Sequence, residues 1–189
     1  LAAHLGLATL IYGWLLWEAL RLKRPVADTL PDFRLPRARI AAKAALALVA
    51  VTMLGGALMA GSHAGQAYPT FPLIEGRLWP TDYWGFDPWF LSVIEQRAAI
   101  NFNHRWLAIL ALAAVIFAWG ESRWLALVPR GRKLANALAA VGTIQVSLGI
   151  ATLYLGVPAW IAATHQAVAL ALFTLALALV YELRPPPAA

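Results

Sequence analysis

Two histidines lie inside hydrophobic stretches of this chain, each among polar residues. His104 belongs to the motif NFNHRW (101–106) near the start of one stretch, and His165 belongs to THQ (164–166), a little way into another. An ionisable side chain at such depth is costly in lipid, and it usually faces a partner inside a helix bundle. These two residues are therefore the first candidates for a functional site.

Two neutral imidazoles at matched depth on neighbouring helices can bind a haem iron from both sides. This coordination suits a low-spin haem b and leaves no open iron position, which indicates electron transfer rather than oxygen binding. We therefore predict His104 and His165 as axial ligands of a haem b. Asn103, Thr164 and Gln166 are predicted to orient the rings. The alternative is that each imidazole hydrogen-bonds a backbone carbonyl or a neighbouring helix.

Arg105 is the cation directly beside His104. Arginine binds carboxylates through two parallel hydrogen bonds, so Arg105 is predicted to bind a haem propionate, helped by Arg97 or Arg77. The alternative is that its side chain extends to the membrane interface and keeps its charge in water.

The two remaining histidines are His4 and His63. His63 lies in the glycine-rich turn GSHAG (61–65), where an exposed or hydrogen-bonded loop histidine is the favoured interpretation. His4 alone cannot complete a two-histidine site. The sequence contains no nucleotide-binding loop, no Ser-His-Asp triad and no zinc-ligand spacing.

The composition indicates an integral membrane protein rather than a soluble domain. Of the 189 residues 61% are hydrophobic and 13% charged, with a mean hydropathy of +0.67,. The absence of cysteine excludes disulfides, thiolate metal sites, iron–sulfur clusters and covalent c-type haem attachment,. Basic loops beside the membrane explain the net charge of +6 better than nucleic-acid binding does,.

Five apolar spans can be recognised along the chain. They are rich in Leu, Ala, Val and Gly and do not alternate with a period of two, which favours helices over barrel strands. The predicted fold class is an all-α integral membrane protein with five transmembrane helices, four of which (40–182) form an antiparallel four-helix bundle. The predicted spans are 2–21, 40–61, 98–119, 134–155 and 159–182.

The charges of the loops predict the orientation in the membrane. Segments 21–43 and 120–133 have net charges of +5 and +3, whereas loop 62–103 has a net charge of −2 and the turn 156–158 has none. The positive-inside rule places the first two segments in the cytoplasm and the last two outside. All four histidines then lie at the outer ends of spans, and His165 is about 9 Å inside its span at 1.5 Å per residue.

Two further patterns concern the outer half of the chain. The segment 60–80 mixes glycines, prolines and aromatic residues, and it is predicted either to cover the outer mouth of a cofactor pocket or to rest on the membrane interface. Gly142, Gly149 and Gly156 recur every seven residues. They are predicted to permit close helix packing, with room for a flat macrocycle as the alternative.

A weak internal repeat relates the first span to the last. AHLGLA (3–8) is similar to THQAVA (164–169), and duplicated halves are common in membrane folds,. This similarity predicts that the first span is the last helix of an earlier half, and that 40–182 is a complete half. Because the chain begins with Leu1 at the start of a span, we expect that an N-terminal portion is missing.

Three segments together resemble the haem A synthase family of bacteria and mitochondria. They are AGSHAGQAYPTFPLIEGRLWP (60–80), NFNHRWLA (101–108) and QVSLGIATLYLGVPAWIAATHQ (145–166). Family members have two pseudo-symmetric four-helix halves, each with a histidine pair near the outer face. The C-terminal half holds haem b, and the N-terminal half receives haem o, whose ring methyl is oxidised to the formyl group of haem a.

The resemblance implies a role for each part of this chain. Residues 1–21 would be the last helix of the substrate half, 22–39 a cytoplasmic linker, and 40–184 the haem b domain with an outer loop at 62–97. His104 and His165 would bind the iron of haem b, with Arg105 at the same cofactor, and His4 would be an iron ligand on the haem o side.

The chain also departs from the family pattern. Phe71-Pro72-Leu73-Ile74 stands where the family usually has Trp-Pro-Leu-Met, and the paired outer-loop cysteines of some members have no counterpart. The family's Glu-x-x-His motif, which is thought to supply the catalytic carboxylate, is also absent. No catalytic residue is therefore assigned, and this polypeptide alone is expected to hold haem b without completing catalysis.

Partners and location follow from the same considerations. The predicted location is the inner (plasma) membrane of a bacterium, with the histidines towards the periplasm. The predicted partners are membrane lipid and haem o, with haem O synthase and cytochrome oxidase assembly factors implied and nucleic acid excluded; a homo-oligomer is left open. The rival functions are a non-enzymatic membrane b-type cytochrome or electron carrier, and a structural assembly subunit of a respiratory complex.

Overall fold

The computed structural model describes residues 2–23, 34–125 and 129–184, and these residues are mostly helical. Seven α-helices follow one another along the chain, with a 3₁₀ turn at Trp89–Leu91 before the fourth. The α-helices are α1 (Ala2–Lys23), α2 (Leu35–Ser62), α3 (Ala64–Ala67), α4 (Ser92–Glu95), α5 (Arg97–Arg123), α6 (Pro129–Tyr154) and α7 (Ala159–Glu182).

Five of these helices, α1, α2, α5, α6 and α7, are long and apolar enough to cross a membrane. The prediction of five helical spans is therefore confirmed. Helices α2, α5 and α6 extend a few residues beyond the predicted spans at their basic ends, because arginine and lysine side chains at helix ends can reach the headgroup region,.

Four of the long helices form a closed ring in which each helix packs on two neighbours. Helix α2 packs on α5, α5 on α6, α6 on α7, and α7 on α2. Helices α5 and α7 therefore stand diagonally opposite each other. Helix α1 lies outside the ring against α2 and α7, where Tyr12 and Thr174 share a hydrogen bond of 2.7 Å. The predicted four-helix bundle with one additional helix agrees with this arrangement.

The packed core occupies only one end of the ring, which we call the inner end because it carries the basic segments. Its buried residues come from the inner halves of all four helices, and many are alanines, which allow helix backbones to approach closely in a membrane. The core contains Leu35, Ala38, Ala41, Ala42, Ala45, Val49, Ala111, Val115, Ala118, Leu125, Ala135, Leu138, Leu172, Phe173, Ala176, Leu177, Leu179 and Leu183.

Helix ends lie inside the predicted linker at 22–39, which as a domain boundary stays a prediction. Helix α1 continues to Lys23 and α2 begins at Leu35, so both ends of the linker are helical, while 24–33 lie outside the described residues. The start of α2 is held by its arginines: Arg37 pairs with Glu121 at 3.1 Å, and the Arg39 side chain donates a hydrogen bond to the Leu183 carbonyl. These contacts give the basic segment a structural role in addition to its effect on orientation.

The outer loop between α2 and α5 is built from short helical segments and aromatic contacts. A row of ring contacts with centroid distances of 4.6–6.2 Å runs from Trp106 on α5 out to Phe90 in the loop. Trp79, Trp84 and Trp89 in this row remain exposed. Tryptophan prefers the headgroup region of a bilayer, and this surface fits that environment.

The cysteine-free sequence permits a clean test of the predicted orientation. In right-side-out spheroplasts of an expressing bacterium, we expect a membrane-impermeant maleimide to label Arg77→Cys in the outer loop. The matched variant Arg132→Cys at the inner end of α6 should react only after permeabilisation. Both arginines are exposed, and the unmodified chain provides the blank. The opposite labelling pattern would show that the charge argument had assigned the two faces wrongly.

Candidate functional site

A cavity of about 490 Å³ fills the outer half of the four-helix ring. Its volume lies within the range of about 300–1,000 Å³ that is typical of ligand pockets. All four ring helices line it, mostly with apolar side chains, and His63, Gln66 and Phe71 from the α2–α5 connection also reach it. The site therefore lies at the end of the bundle that the core leaves unfilled.

His104 on α5 and His165 on α7 both line this cavity. Their helices are diagonal in the ring, so the two imidazoles approach the cavity from opposite sides. The prediction that they belong to neighbouring helices is wrong in this respect. The diagonal placement suits a shared ligand better, since neighbouring helices in a ring leave less room between their side chains.

Each imidazole lies against the backbone of a glycine on an adjacent helix. A Cβ atom on Gly55 of α2 would lie 3.3 Å from Nδ1 of His104, and one on Gly149 of α6 would lie 3.0 Å from Cε1 of His165. Real Cβ atoms rarely approach other atoms this closely. These glycines therefore create the space in which the two rings are held.

The polar atoms of the two rings are only partly satisfied. Among the residues that the structure describes, the buried Nδ1 atoms of His104 and His165 have no hydrogen-bond partner, and neither has Oε1 of Gln145. The Gln145 amide nitrogen lies 3.5 Å from Nε2 of His165. Buried polar atoms usually have partners, so unpaired ones in a cavity indicate a place for a ligand or water. Two imidazoles, an apolar lining and glycine-lined walls fit a haem with two histidine ligands.

Gln145 lies beside the imidazole of His165, and the sequence analysis did not select it. The predicted ring-orienting residues have other roles: Asn103 accepts a hydrogen bond of 2.9 Å from the Tyr83 hydroxyl, and Thr164 donates to the Trp160 carbonyl of its own helix. Gln166 lines the cavity. Gln145 lies four residues before Gly149, so it shares that face of α6, and this spacing is the signal that could have found it.

The three regularly spaced glycines have three different environments. Only Gly142 serves helix packing, because a Cβ atom there would lie 3.1 Å from Val115 on α5. Gly149 makes room for the His165 ring. Gly156 has a φ of +76° in the turn between α6 and α7, a conformation that favours glycine,.

Arg105 is buried and bound to the outer loop. Its guanidinium donates hydrogen bonds to the backbone carbonyls of Tyr68 at 2.8 Å, Leu73 at 3.1 Å and Pro72 at 3.3 Å. Its Nε atom has no partner within the described part of the chain. The propionate role of Arg105 stays a prediction, and Arg77 and Arg97, its predicted helpers, are exposed.

The other two histidines lie apart from this pair. His4 is exposed on α1, outside the ring. His63 is an exposed residue with a left-handed backbone at the end of α2, and it reaches the rim of the cavity. Within the described residues, no group of three or more His, Asp or Glu side chains could hold a metal ion by itself. Any metal at this site would therefore depend on the histidine pair and further ligands of its own.

Comparison with known proteins identifies the relatives of this chain. The COX15-CtaA family model, described as "Cytochrome oxidase assembly protein", matches residues 1–177. The chain is 38% identical to "Heme A synthase" of Nitrosomonas eutropha, over 94% of this chain and 50% of that protein. It is 42% identical to "Heme A synthase" of Rhodospirillum centenum, over 98% and 49%.

The similarity extends to mitochondrial proteins. The chain is 40% identical to "Heme A synthase COX15" of Bos taurus over 99% of this chain and 45% of that protein. The chain therefore spans about half the length of the curated relatives it matches. No solved structure matches it.

A matched pair of glycine substitutions tests whether Gly149 keeps the pocket open. Gly149→Ala should displace the His165 ring and lower the amount of haem that copurifies with the protein by about tenfold. Gly120→Ala on α5 meets no atom within 4 Å, so it should keep the haem while raising the stability of the helix by about 1 kcal/mol. Pyridine haemochrome absorbance and thermal unfolding measure the two effects. Equal haem contents in the two variants would contradict the assigned role of Gly149.

Proposed function

Because this chain belongs to the COX15-CtaA family of cytochrome oxidase assembly proteins, we propose that it forms the haem b-holding half of a haem A synthase. The observation that carries the proposal is the diagonal histidine pair, since His104 and His165 line one apolar cavity from two helices that do not neighbour each other. The bacterial and mitochondrial relatives named heme A synthase support the reaction class.

In this proposal the imidazoles of His104 and His165 would hold the iron of haem b. When bound, the haem supplies one-electron transfer, because two histidine ligands leave no open position for oxygen. Gly55 and Gly149 keep the space beside the rings clear, and Gln145, whose amide nitrogen lies 3.5 Å from Nε2 of His165, limits the rotation of that ring by contact,. The apolar side chains that line the cavity would keep water away from the two faces of the haem.

Helix α1 is proposed to belong with the substrate half of the enzyme. It packs on the outside of the ring, and several of its large apolar side chains remain exposed, among them Leu7, Leu10 and Trp14. His4, at its outer end, would then face the haem o site in the other half and act as a ligand of the substrate iron. Oxidation of the haem o methyl group would take place there rather than in the cavity of this chain.

The multi-pass helices and the distribution of charge also support a location. We propose the inner membrane of a bacterium, with the cavity opening towards the periplasm, because Lys23, Arg37 and Arg132 are exposed at the opposite end of the described bundle,. Haem O synthase and cytochrome oxidase assembly factors are proposed as neighbours in the same membrane.

Replacing each histidine in turn tests the haem ligands. Purified protein should give a low-spin b-type reduced-minus-oxidised spectrum, and His104→Ala and His165→Ala should each abolish it, because one remaining imidazole cannot maintain six-coordination. His4→Ala and His63→Ala serve as matched controls and should keep it. A spectrum that survives in both His104→Ala and His165→Ala would refute the ligand assignment, and a protein without haem would favour the structural assembly subunit.

A chimaera separates the synthase from a plain membrane cytochrome. The matching half of the Rhodospirillum centenum relative is replaced by this chain, and the chimaera is expressed in a bacterium that lacks its own haem A synthase. We expect haem a in the extracted haems, and none when the chimaera carries His165→Ala. A chimaera that shows the b-type spectrum but forms no haem a would support the electron-carrier rival instead.

A further inference from the structure

The segment 64–73, which we call the lid, crosses the outer mouth of the cavity. It begins with the short helix α3 directly after the left-handed residue His63 and continues without regular secondary structure to Leu73. Gly65, Gln66 and Phe71 from the lid line the cavity. The lid is therefore part of the wall at the outer end of the cavity, where it can hinder entry from that side.

Backbone carbonyls of the lid accept hydrogen bonds from side chains on one turn of α5. Asn101, which is fully buried, donates to the Ala64 carbonyl at 2.8 Å and to the Tyr68 carbonyl at 3.4 Å. Arg105, one turn further along the helix and 5% exposed, donates to the carbonyls of Tyr68, Pro72 and Leu73. The two residues thus hold both ends of the lid.

A third side chain holds the lid from another helix of the ring. The Tyr154 hydroxyl at the end of α6 donates to the Phe71 carbonyl at 2.8 Å. Because Phe71 also lines the cavity, this bond fixes the residue whose ring lies at the mouth. The lid is therefore attached to α5 and to α6, which are adjacent helices of the ring.

The burial of Arg105 argues that this attachment matters. A buried cation in a membrane protein is costly unless its donors are satisfied. Here backbone carbonyls accept hydrogen bonds from both terminal nitrogens of Arg105, and no carboxylate among the described residues pairs with it. A guanidinium can bridge three carbonyls because its donors form a rigid planar fork, whereas a lysine ammonium is a compact point charge. The hydrogen bonds to the three carbonyls therefore depend on the planar arrangement of the guanidinium donors and not on the positive charge alone.

We propose that Asn101, Arg105 and Tyr154 are positioning residues that hold the lid closed over the cavity and so set how fast haem leaves it; the inference rests on the proposed haem site. Arg105 follows His104 in the sequence, so the same turn of α5 carries an iron ligand and the lid attachment. The three residues leave the iron coordination unchanged. Their effect is on exchange with the outside.

The test measures the rate at which haem leaves the purified protein for an excess of apomyoglobin. Tyr154→Phe removes one hydrogen bond to the lid and should raise this rate about threefold to tenfold. Arg105→Lys keeps the positive charge but loses the fork, and should raise it by about tenfold or more. Tyr12→Phe is the matched control, because it removes a similar hydroxyl contact between α1 and α7 away from the cavity.

The b-type spectrum should remain low-spin in all three variants, because none of them alters an imidazole. The proposal is supported only if Tyr154→Phe and Arg105→Lys both release haem faster than Tyr12→Phe; any other ranking overturns it. If Arg105→Lys retained the unaltered rate, a propionate charge pair would explain Arg105 instead.

A second measurement needs no haem. Ala108→Cys places a single thiol on the cavity wall, and an impermeant maleimide should reach it faster when Tyr154→Phe or Arg105→Lys is added, but not when Tyr12→Phe is added. Equal labelling rates would overturn the proposal. This measurement also decides the role of the lid if Arg105→Lys does not fold, since Tyr154→Phe suffices. A protein that binds no haem would refute the proposed function while leaving the labelling result interpretable.

Discussion

The unequal packing of the two ends of the bundle is the constraint on which the site depends. Lipid tails are as apolar as leucine, so helices in a membrane associate through close van der Waals packing rather than through a hydrophobic driving force. Here the alanine-rich inner halves provide that packing. The outer halves are then held at a fixed separation without having to fill the space between them, and a cavity can persist beside two partly unsatisfied imidazoles.

Because the outer end of the bundle is not filled by side chains, the backbone carbonyls of the loop beside it need hydrogen-bond donors. Irregular backbone near membrane depth is tolerated only where its carbonyls are satisfied by the protein or by water. Asn101, Arg105 and Tyr154 provide such donors. One turn of α5 therefore combines a haem-ligand candidate with the support of the loop, which explains why the motif NFNHRW is so polar for a membrane span. Its polar residues serve both the cavity and the outer loop.

The features that could be predicted from the sequence are those that depend on the hydrophobicity pattern of each helix taken separately. Span number, helical character and the four-helix bundle follow from apolar length and the absence of period-two alternation, and the structure confirms them. The order of helices around the ring could not be predicted, because any four antiparallel helices satisfy the same hydropathy pattern. The carbonyl partners of Arg105 were missed for a related reason: main-chain acceptors leave no signature in a sequence, whereas a charged cofactor suggests a partner for a cation.

The glycines of α6 show how position in the bundle, rather than spacing, decides what a small residue does. Gly142 lies level with the core and meets Val115, so its missing side chain permits close packing. One repeat further out, Gly149 lies level with the cavity, and the atoms nearest to a Cβ there belong to the imidazole of His165. Gly156, a further repeat along, has left the helix and supplies a positive φ. The three glycines, seven residues apart, therefore lie at the core, at the cavity and in the turn. Glycine permits close helix packing at the first level and makes room for an imidazole at the second.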